Sequence, residues 1–142
     1  GVGKDADNLY ITCKVKDGEL YSGGQGTQKG SGVFIYLDTK NECLKEPAEG
    51  VYKVWCSYKG DITVWQGNKG KWENSELEGL QITPSVVPGG YELAFTIPLN
   101  RSFNKDTMRL CATLSTKTYT ETLVHSNADW SCTWMKMNLG GH

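Results

Sequence analysis

Val51-Tyr52-Lys53-Val54-Trp55-Cys56-Ser57-Tyr58-Lys59-Gly60-Asp61-Ile62-Thr63-Val64-Trp65 reads as two β-strands joined by a tight turn. A turn placed at Lys59-Gly60-Asp61 sets Tyr58 opposite Ile62, Cys56 opposite Val64 and Trp55 directly opposite Trp65 on the other face. The tryptophan face also carries Lys53, Ser57 and Thr63, so one side of the hairpin mixes aromatic and hydrogen-bonding groups. Outward from this hairpin the same period-two alternation recurs, bounded by Gly, Asn, Asp and Pro, while helical periodicity is nearly absent. Leu9, Ile11, Cys13 and Val15 form one inward set, Val33, Ile35 and Leu37 a second, and Tyr91, Leu93, Phe95 and Ile97 a third that Pro98 ends. Leu80 to Ile82, Leu110-Ala112-Leu114, a short strand near residues 119–124, and Met135-Met137-Leu139 complete the pattern. The expectation is an all-β antiparallel sandwich of about eight strands, jelly-roll or immunoglobulin-like.

The chain has 142 residues, a length that suits one domain, 1–142, with a single core burying roughly two thirds of the unfolded surface. Its formal net charge is −1, with no run of Lys or Arg, so there is no footprint for nucleic acid or for a polybasic membrane contact. No apolar run approaches the ~20 residues of a bilayer span, and Gly1-Val-Gly-Lys-Asp5 lacks the regions of a signal peptide, as an excised domain would. The five cysteines (Cys13, Cys43, Cys56, Cys111, Cys132) are odd in number and include no C-x-x-C pair. That pattern argues against a zinc site and against a full disulfide framework. Cys13 and Cys56 fall on the apolar phase of their strands and read as small hydrophobes.

Five tryptophans are many for such a chain, and two of them, Trp72 and Trp130, stand where strand alternation has stopped. Indole faces beside hydrogen-bonding side chains suit sugar rings, whose C–H groups stack on aromatics while hydroxyls bond the rim. The loops sharpen this expectation. Residues Gly18 to Gly32 are glycine-rich and contain Tyr21; residues Gln66 to Gly79 hold Trp72 among Asn68, Lys69, Lys71, Glu73 and Asn74. His125-Ser-Asn-Ala-Asp-Trp-Ser131 sets Asn127 and Asp129 beside Trp130. The candidate ligand-binding set is therefore Trp130, Asn127, Asp129, Trp72, Trp55, Trp65 and Tyr21.

Catalytic chemistry finds no constellation. His142 is terminal, and His125 beside Ser126 makes no dyad, because adjacent residues rarely face each other productively. Asp5, Asp7, Asp38 and Glu42 would hold a structural calcium only if they gathered at one sandwich end; otherwise they are solvated acids. His125 with Met108, Met135 or Met137 would suit haem, whereas core packing explains those methionines without a cofactor. Asn100-Arg101-Ser102 fits a glycosylation sequon, a match common by chance.

Three segments in order, Asp7-Asn-Leu-Tyr-Ile-Thr-Cys-Lys-Val-Lys-Asp17, Ser31-Gly-Val-Phe-Ile-Tyr-Leu-Asp38 and Gly90-Tyr-Glu-Leu-Ala-Phe-Thr-Ile-Pro98, resemble the signatures of family 9 carbohydrate-binding modules and the wider DOMON-like superfamily. The resemblance spans most of the chain and implies a β-sandwich with non-catalytic sugar binding, two aromatic rings clamping a sugar and polar side chains gripping its hydroxyls. Related sandwiches bind haem. On this chain the late clamp ring falls on Trp130, with Asn127 beside it, and Tyr21 is the only aromatic near the other clamp position. Ser31, Phe34 and Ala94 stand where the pattern favours acids, which leaves the Trp55/Trp65 face as the alternative site. The implied whole is a secreted or cell-surface module that tethers a glycan-active parent protein, with covalently linked catalytic or anchoring domains, to polysaccharide. The other class of expectation is an adhesion or scaffolding domain whose tryptophans form an apolar patch for protein partners.

Overall fold

The computed structural model describes residues 1–22, 30–115, 120–122, 131 and 134–139. Among them are eleven strands: β1 (Val2–Lys4), β2 (Asn8–Lys16), β3 (Gly32–Asp38), β4 (Val51–Ser57), β5 (Ile62–Asn68), β6 (Lys71–Asn74), β7 (Gln81–Val87), β8 (Gly90–Pro98), β9 (Thr107–Ser115), β10 (Thr120–Thr122) and β11 (Met135–Asn138). They form two antiparallel sheets, one ordered β1-β2-β8-β7, the other β10-β9-β3-β4-β5-β6 with β11 also paired to β9. The all-β sandwich expected from the alternation is present. The strand count exceeds about eight because short edge strands, β1 and β6 among them, are too brief to alternate visibly.

Strands β2 and β8 behave as their sequences dictate. Leu9 pairs with Ile97, Ile11 with Phe95, Cys13 with Leu93 and Val15 with Tyr91. Leu9, Ile11 and the four β8 residues are at most 3% exposed, while Tyr10, Thr12 and Ala94 face solvent. Each such aliphatic or aromatic side chain contributes about 1.5–3 kcal/mol by leaving water. From the other sheet Val33, Ile35, Leu37, Val54, Cys56, Met108, Leu110 and Met137 close the same core. Met108 and Met137 are ordinary core residues there. Met135 keeps the inward phase, paired with Leu110, but on the edge strand β11 it is left 44% exposed.

The β4–β5 hairpin corrects the sequence register. Cys56 pairs with Ile62, Trp55 with Thr63, Val54 with Val64 and Lys53 with Trp65. The loop is Tyr58-Lys59-Gly60, closed by Ser57 N–H donating to the Asp61 carbonyl at 2.9 Å and Gly60 N–H to the Ser57 carbonyl at 2.9 Å. The Ser57 hydroxyl accepts from Lys59 N–H at 3.2 Å and Asp61 N–H at 3.1 Å. Gly60 has φ 96°, the left-handed position that ends a three-residue hairpin loop, so the glycine belongs third in the loop and not in its middle. The slip is two residues, which preserves faces: Trp55 and Trp65 still share one side, but as diagonal neighbours.

Candidate aromatic face

The outer face of the larger sheet carries a second layer of large side chains. Register sets Thr113, Phe34, Trp55 and Thr63 in one row across β9-β3-β4-β5, and Cys111, Tyr36, Lys53, Trp65 and Asn74 in the next, extending to β6. A third row runs through Arg109, Asp38, Val51, Gly67 and Trp72. Phe34 lies 4.8 Å from Trp55, 6.2 Å from Tyr36 and 6.3 Å from Trp65 between ring centroids. Tyr36 lies 6.0 Å from Trp72 and 5.7 Å from Trp134. These separations are those of favourable tilted and offset aromatic pairs. Lys53 Nζ sits over four rings, 4.9 Å from the Trp65 centroid, 5.0 Å from Phe34, 5.8 Å from Tyr36 and 5.9 Å from Trp72.

One end of this layer is roofed. Residues 39–50 turn back over the sheet, pinned by the buried Asp38 carboxylate, which accepts from Glu42 N–H at 3.2 Å and Cys43 N–H at 3.0 Å. The Thr39 hydroxyl donates to the Gly50 carbonyl at 2.6 Å, and Gly70 N–H donates to the Pro47 carbonyl at 2.8 Å. Pro47 and Ala48 cross β5 where Gly67 offers no side chain; a Cβ there would stand 2.6 Å from the Pro47 carbonyl carbon. Under this roof Tyr36, Val51, Cys111 and Trp134 form a small second core with Leu44, Phe34 and Trp72 against it. Leu44 N–H donates to the Ser131 hydroxyl at 2.7 Å, joining the roof to the segment before β11.

Beyond the roof the face is half-open. Phe34, Lys53, Thr63, Trp65 and Trp72 are partly exposed. Among the described residues the buried hydroxyls of Thr113 and Tyr91 have no hydrogen-bond partner, and Thr113, opposite Phe34, belongs to this face.

Trp65 and Trp72 are thus brought together around Lys53. Trp72 is on β6, a short strand, and not in a loop as its polar surroundings suggested. Trp55 belongs to the same layer but is 3% exposed: its indole lies across Gly32, where a Cβ would come 2.9 Å from ring atom Cζ2. It therefore shapes the face from beneath. Tyr21 is 44% exposed and is held through its backbone, its N–H donating to the Ser31 hydroxyl at 3.0 Å; among the described residues it makes no ring contact with the cluster. Trp130, Asn127, Asp129, His125 and Cys132 lie outside the described residues. Phe34, Tyr36, Trp134 and Thr113 were not singled out from sequence as ligand contacts. The signal for the first two was there, because the outward phase of β3 is Phe34-x-Tyr36 between Val33, Ile35 and Leu37.

The acids proposed for calcium do not gather. Asp5 closes a local turn, accepting from Asp7 and Asn8 N–H and, at 2.6 Å, from the Tyr10 hydroxyl. Those bonds, the Tyr10 hydroxyl foremost, hold its carboxyl below the ordinary range. Among the described residues no three His, Cys, Asp or Glu side chains are grouped to hold a metal. No described helix is long and apolar enough to cross a membrane.

No family model matches the sequence, and no curated protein resembles it closely enough to register. Solved structures do. The fold superposes with TM-score 0.79 on a family 9 carbohydrate-binding module from Caldicellulosiruptor kristjanssonii in complex with glucose, at 16% identity, covering 99% of this chain and 75% of that one. A structure from the same organism in complex with cellotriose gives the same TM-score and identity and is covered over 73% of its length. The family 9-like β-sandwich expected from the three sequence segments is the fold the chain has.

Proposed function

We propose that this chain is a non-catalytic carbohydrate-binding module that holds oligosaccharide on the half-open part of the aromatic face, with Trp65, Phe34 and Trp72 supplying ring contacts. The observation that carries the reading is the aromatic layer itself. A solvent-side sheet face is normally polar, and here it presents indole and phenyl faces beside the Thr63 side chain and the ammonium of Lys53. That mixture matches what a sugar ring offers, apolar C–H faces edged by hydroxyls. The structural likeness to modules solved with glucose and cellotriose supports the same class of ligand. A tethering role in a glycan-active parent protein, outside the cell or at its surface, is the working context of this reading.

Native affinity electrophoresis through gels containing soluble polysaccharides tests the binding reading. The parent chain is expected to be retarded by at least one neutral glucan, with Trp65→Ala running free. Free migration of the parent in every glycan, or undiminished retardation of Trp65→Ala, contradicts it, and retardation lost only in Trp130→Ala moves the site to the late segment.

A further inference from the structure

A ring-floored pocket of about 470 Å³ opens at one end of the sandwich, on the core side of the larger sheet and so facing away from the aromatic face. Its floor is Tyr52 of β4, which pairs with the core residue Leu37, and Phe103, set edge-on to Tyr52 with ring centroids 6.2 Å apart. Pro98 and Leu99, where β8 ends, form one wall. The other is the turn Leu77-Glu78-Gly79-Leu80 between β6 and β7, closed by Leu80 N–H donating to the Leu77 carbonyl at 3.0 Å. Gly79 has φ 76°, and a Cβ on it would come 2.8 Å from Pro98 Cγ, so glycine is what lets this turn close against the end of β8. The turn brings Glu76 and Glu78 to the rim, and Asn100 lines it from the β8 side. The Asn100 Oδ1 accepts from the Ser102 N–H at 3.0 Å and from the Ser102 hydroxyl at 3.2 Å, which leaves Nδ2 as its donor toward a ligand. Among the described residues no Lys, Arg or His lines the pocket.

We propose that this pocket is a second ligand site, separate from the aromatic face, which takes a pyranose carrying a protonated primary amine. It does not rest on the function proposed above, because Tyr52 and Lys53 point to opposite sides of β4. The volume is that of an ordinary small-ligand pocket. The apolar floor and walls match the C–H face of a sugar ring, and the Tyr52 ring attracts a cation placed over it. Glu76 and Glu78 accept charge-assisted hydrogen bonds from the ammonium, while Asn100 Nδ2 donates to a sugar hydroxyl. Burial first, and the Glu49 carboxylate second, push the Tyr52 phenol up, so a third negative charge acts on the floor. Three carboxylates without a basic side chain disfavour an acidic sugar and favour an ammonium over a neutral hydroxyl. A lysine side chain would bring the same ammonium, but it offers no acceptor for Asn100 and covers less of the floor than a ring does.

NMR titration of the intact protein, labelled at its leucine methyl groups, tests the site with the β-1,4-linked glucosamine dimer at mildly acidic pH, where the amine is charged and the carboxylates are ionised. The Leu77 and Leu99 methyl resonances are expected to shift saturably, with affinity about tenfold weaker for cellobiose and for the N-acetylated dimer, which lack the charge. Glu76→Gln/Glu78→Gln, at two exposed positions, is expected to remove that preference with little change in the thermal unfolding midpoint. Added salt is expected to reduce it as well. Equal affinity for the neutral dimers, a preference that survives in the double variant, or shifts confined to residues of the aromatic face overturn the proposal. N-acetyl-lysine amide bound as tightly as the glucosamine dimer also overturns it, by assigning the pocket to a peptide. In Trp65→Ala the glucosamine shifts of Leu77 and Leu99 are expected to persist, so the two sites stand or fall separately.

Discussion

The two sheets have outer faces of opposite character. On the smaller sheet the rows read Tyr10-Thr96-Gln81, Thr12-Ala94-Thr83 and Lys14-Glu92-Ser85 across β2-β8-β7, a solvated surface of short polar groups and one opposed charge pair. On the larger sheet the same structural position holds Phe34, Tyr36, Trp55, Trp65 and Trp72, with a chain segment folded over one end. A fold needs only one packed layer between its sheets. The first face shows what the fold alone requires, and the second shows what has been added to it.

The largest expected effect separates the two tryptophans of the opening hairpin. Trp55→Ala is expected to cost about 3–5 kcal/mol in urea unfolding, because it empties a buried site between Phe34 and Gly32. Trp65→Ala, half-exposed, is expected to cost about 1 kcal/mol or less. Equal costs would erase the distinction between a ring that shapes the face and one that is available on it.

Raising the pH probes the layer that both faces share. Burial pushes the Cys56 thiol up to about 12 and also raises Cys13 and Tyr91. The unfolded chain loses these protons first, so their contribution is fully present below about pH 9 and is lost as pH climbs through the folded values. Stability is expected to fall by on the order of 1–3 kcal/mol between pH 9 and 12, and Cys56→Ala is expected to reduce that slope. A flat alkaline limb would mean that the inner thiols reach water.

Binding contrasts the outer faces directly. Trp65→Ala is expected to weaken glycan affinity about tenfold by loss of one stacking ring, while Tyr10→Ala on the smaller sheet leaves it unchanged. The smallest effect is at acid pH. The Asp5 carboxyl, held low first by the Tyr10 hydroxyl, stabilises the fold above its unfolded value of 3.8 and loses that contribution as pH falls through the lower folded value. Tyr10→Phe is expected to move the acid unfolding limb slightly upward in pH, with no change in glycan binding.

How much of this was legible in sequence follows the same division. Leu9 to Val15 and Tyr91 to Ile97 could be read with their correct faces because water on one side enforces strict alternation. β3 showed which way its residues face, Val33, Ile35 and Leu37 inward and Phe34 and Tyr36 outward, but because it is apolar throughout nothing in it announced that the outer face carries a second aromatic layer. The roof was invisible for a different reason: the approach of Pro47 and Ala48 to Gly67, and of Leu44 to Ser131, are tertiary contacts that no local pattern encodes. The hairpin register erred by two residues because a three-residue loop places its glycine last, at φ 96° in Gly60, where the sequence reading placed it centrally.

The most direct measurement is a titration of the protein, labelled with nitrogen-15 at its five indoles, with a β-1,4-linked glucose oligomer, following each indole N–H by NMR. With ligand seated on the aromatic face, the Trp65 and Trp72 resonances shift in a saturable way, and Trp55 and Trp134 beneath them shift less. Saturable movement confined to Trp130, or no movement of any indole at millimolar sugar, contradicts the assignment of the aromatic face as the binding site.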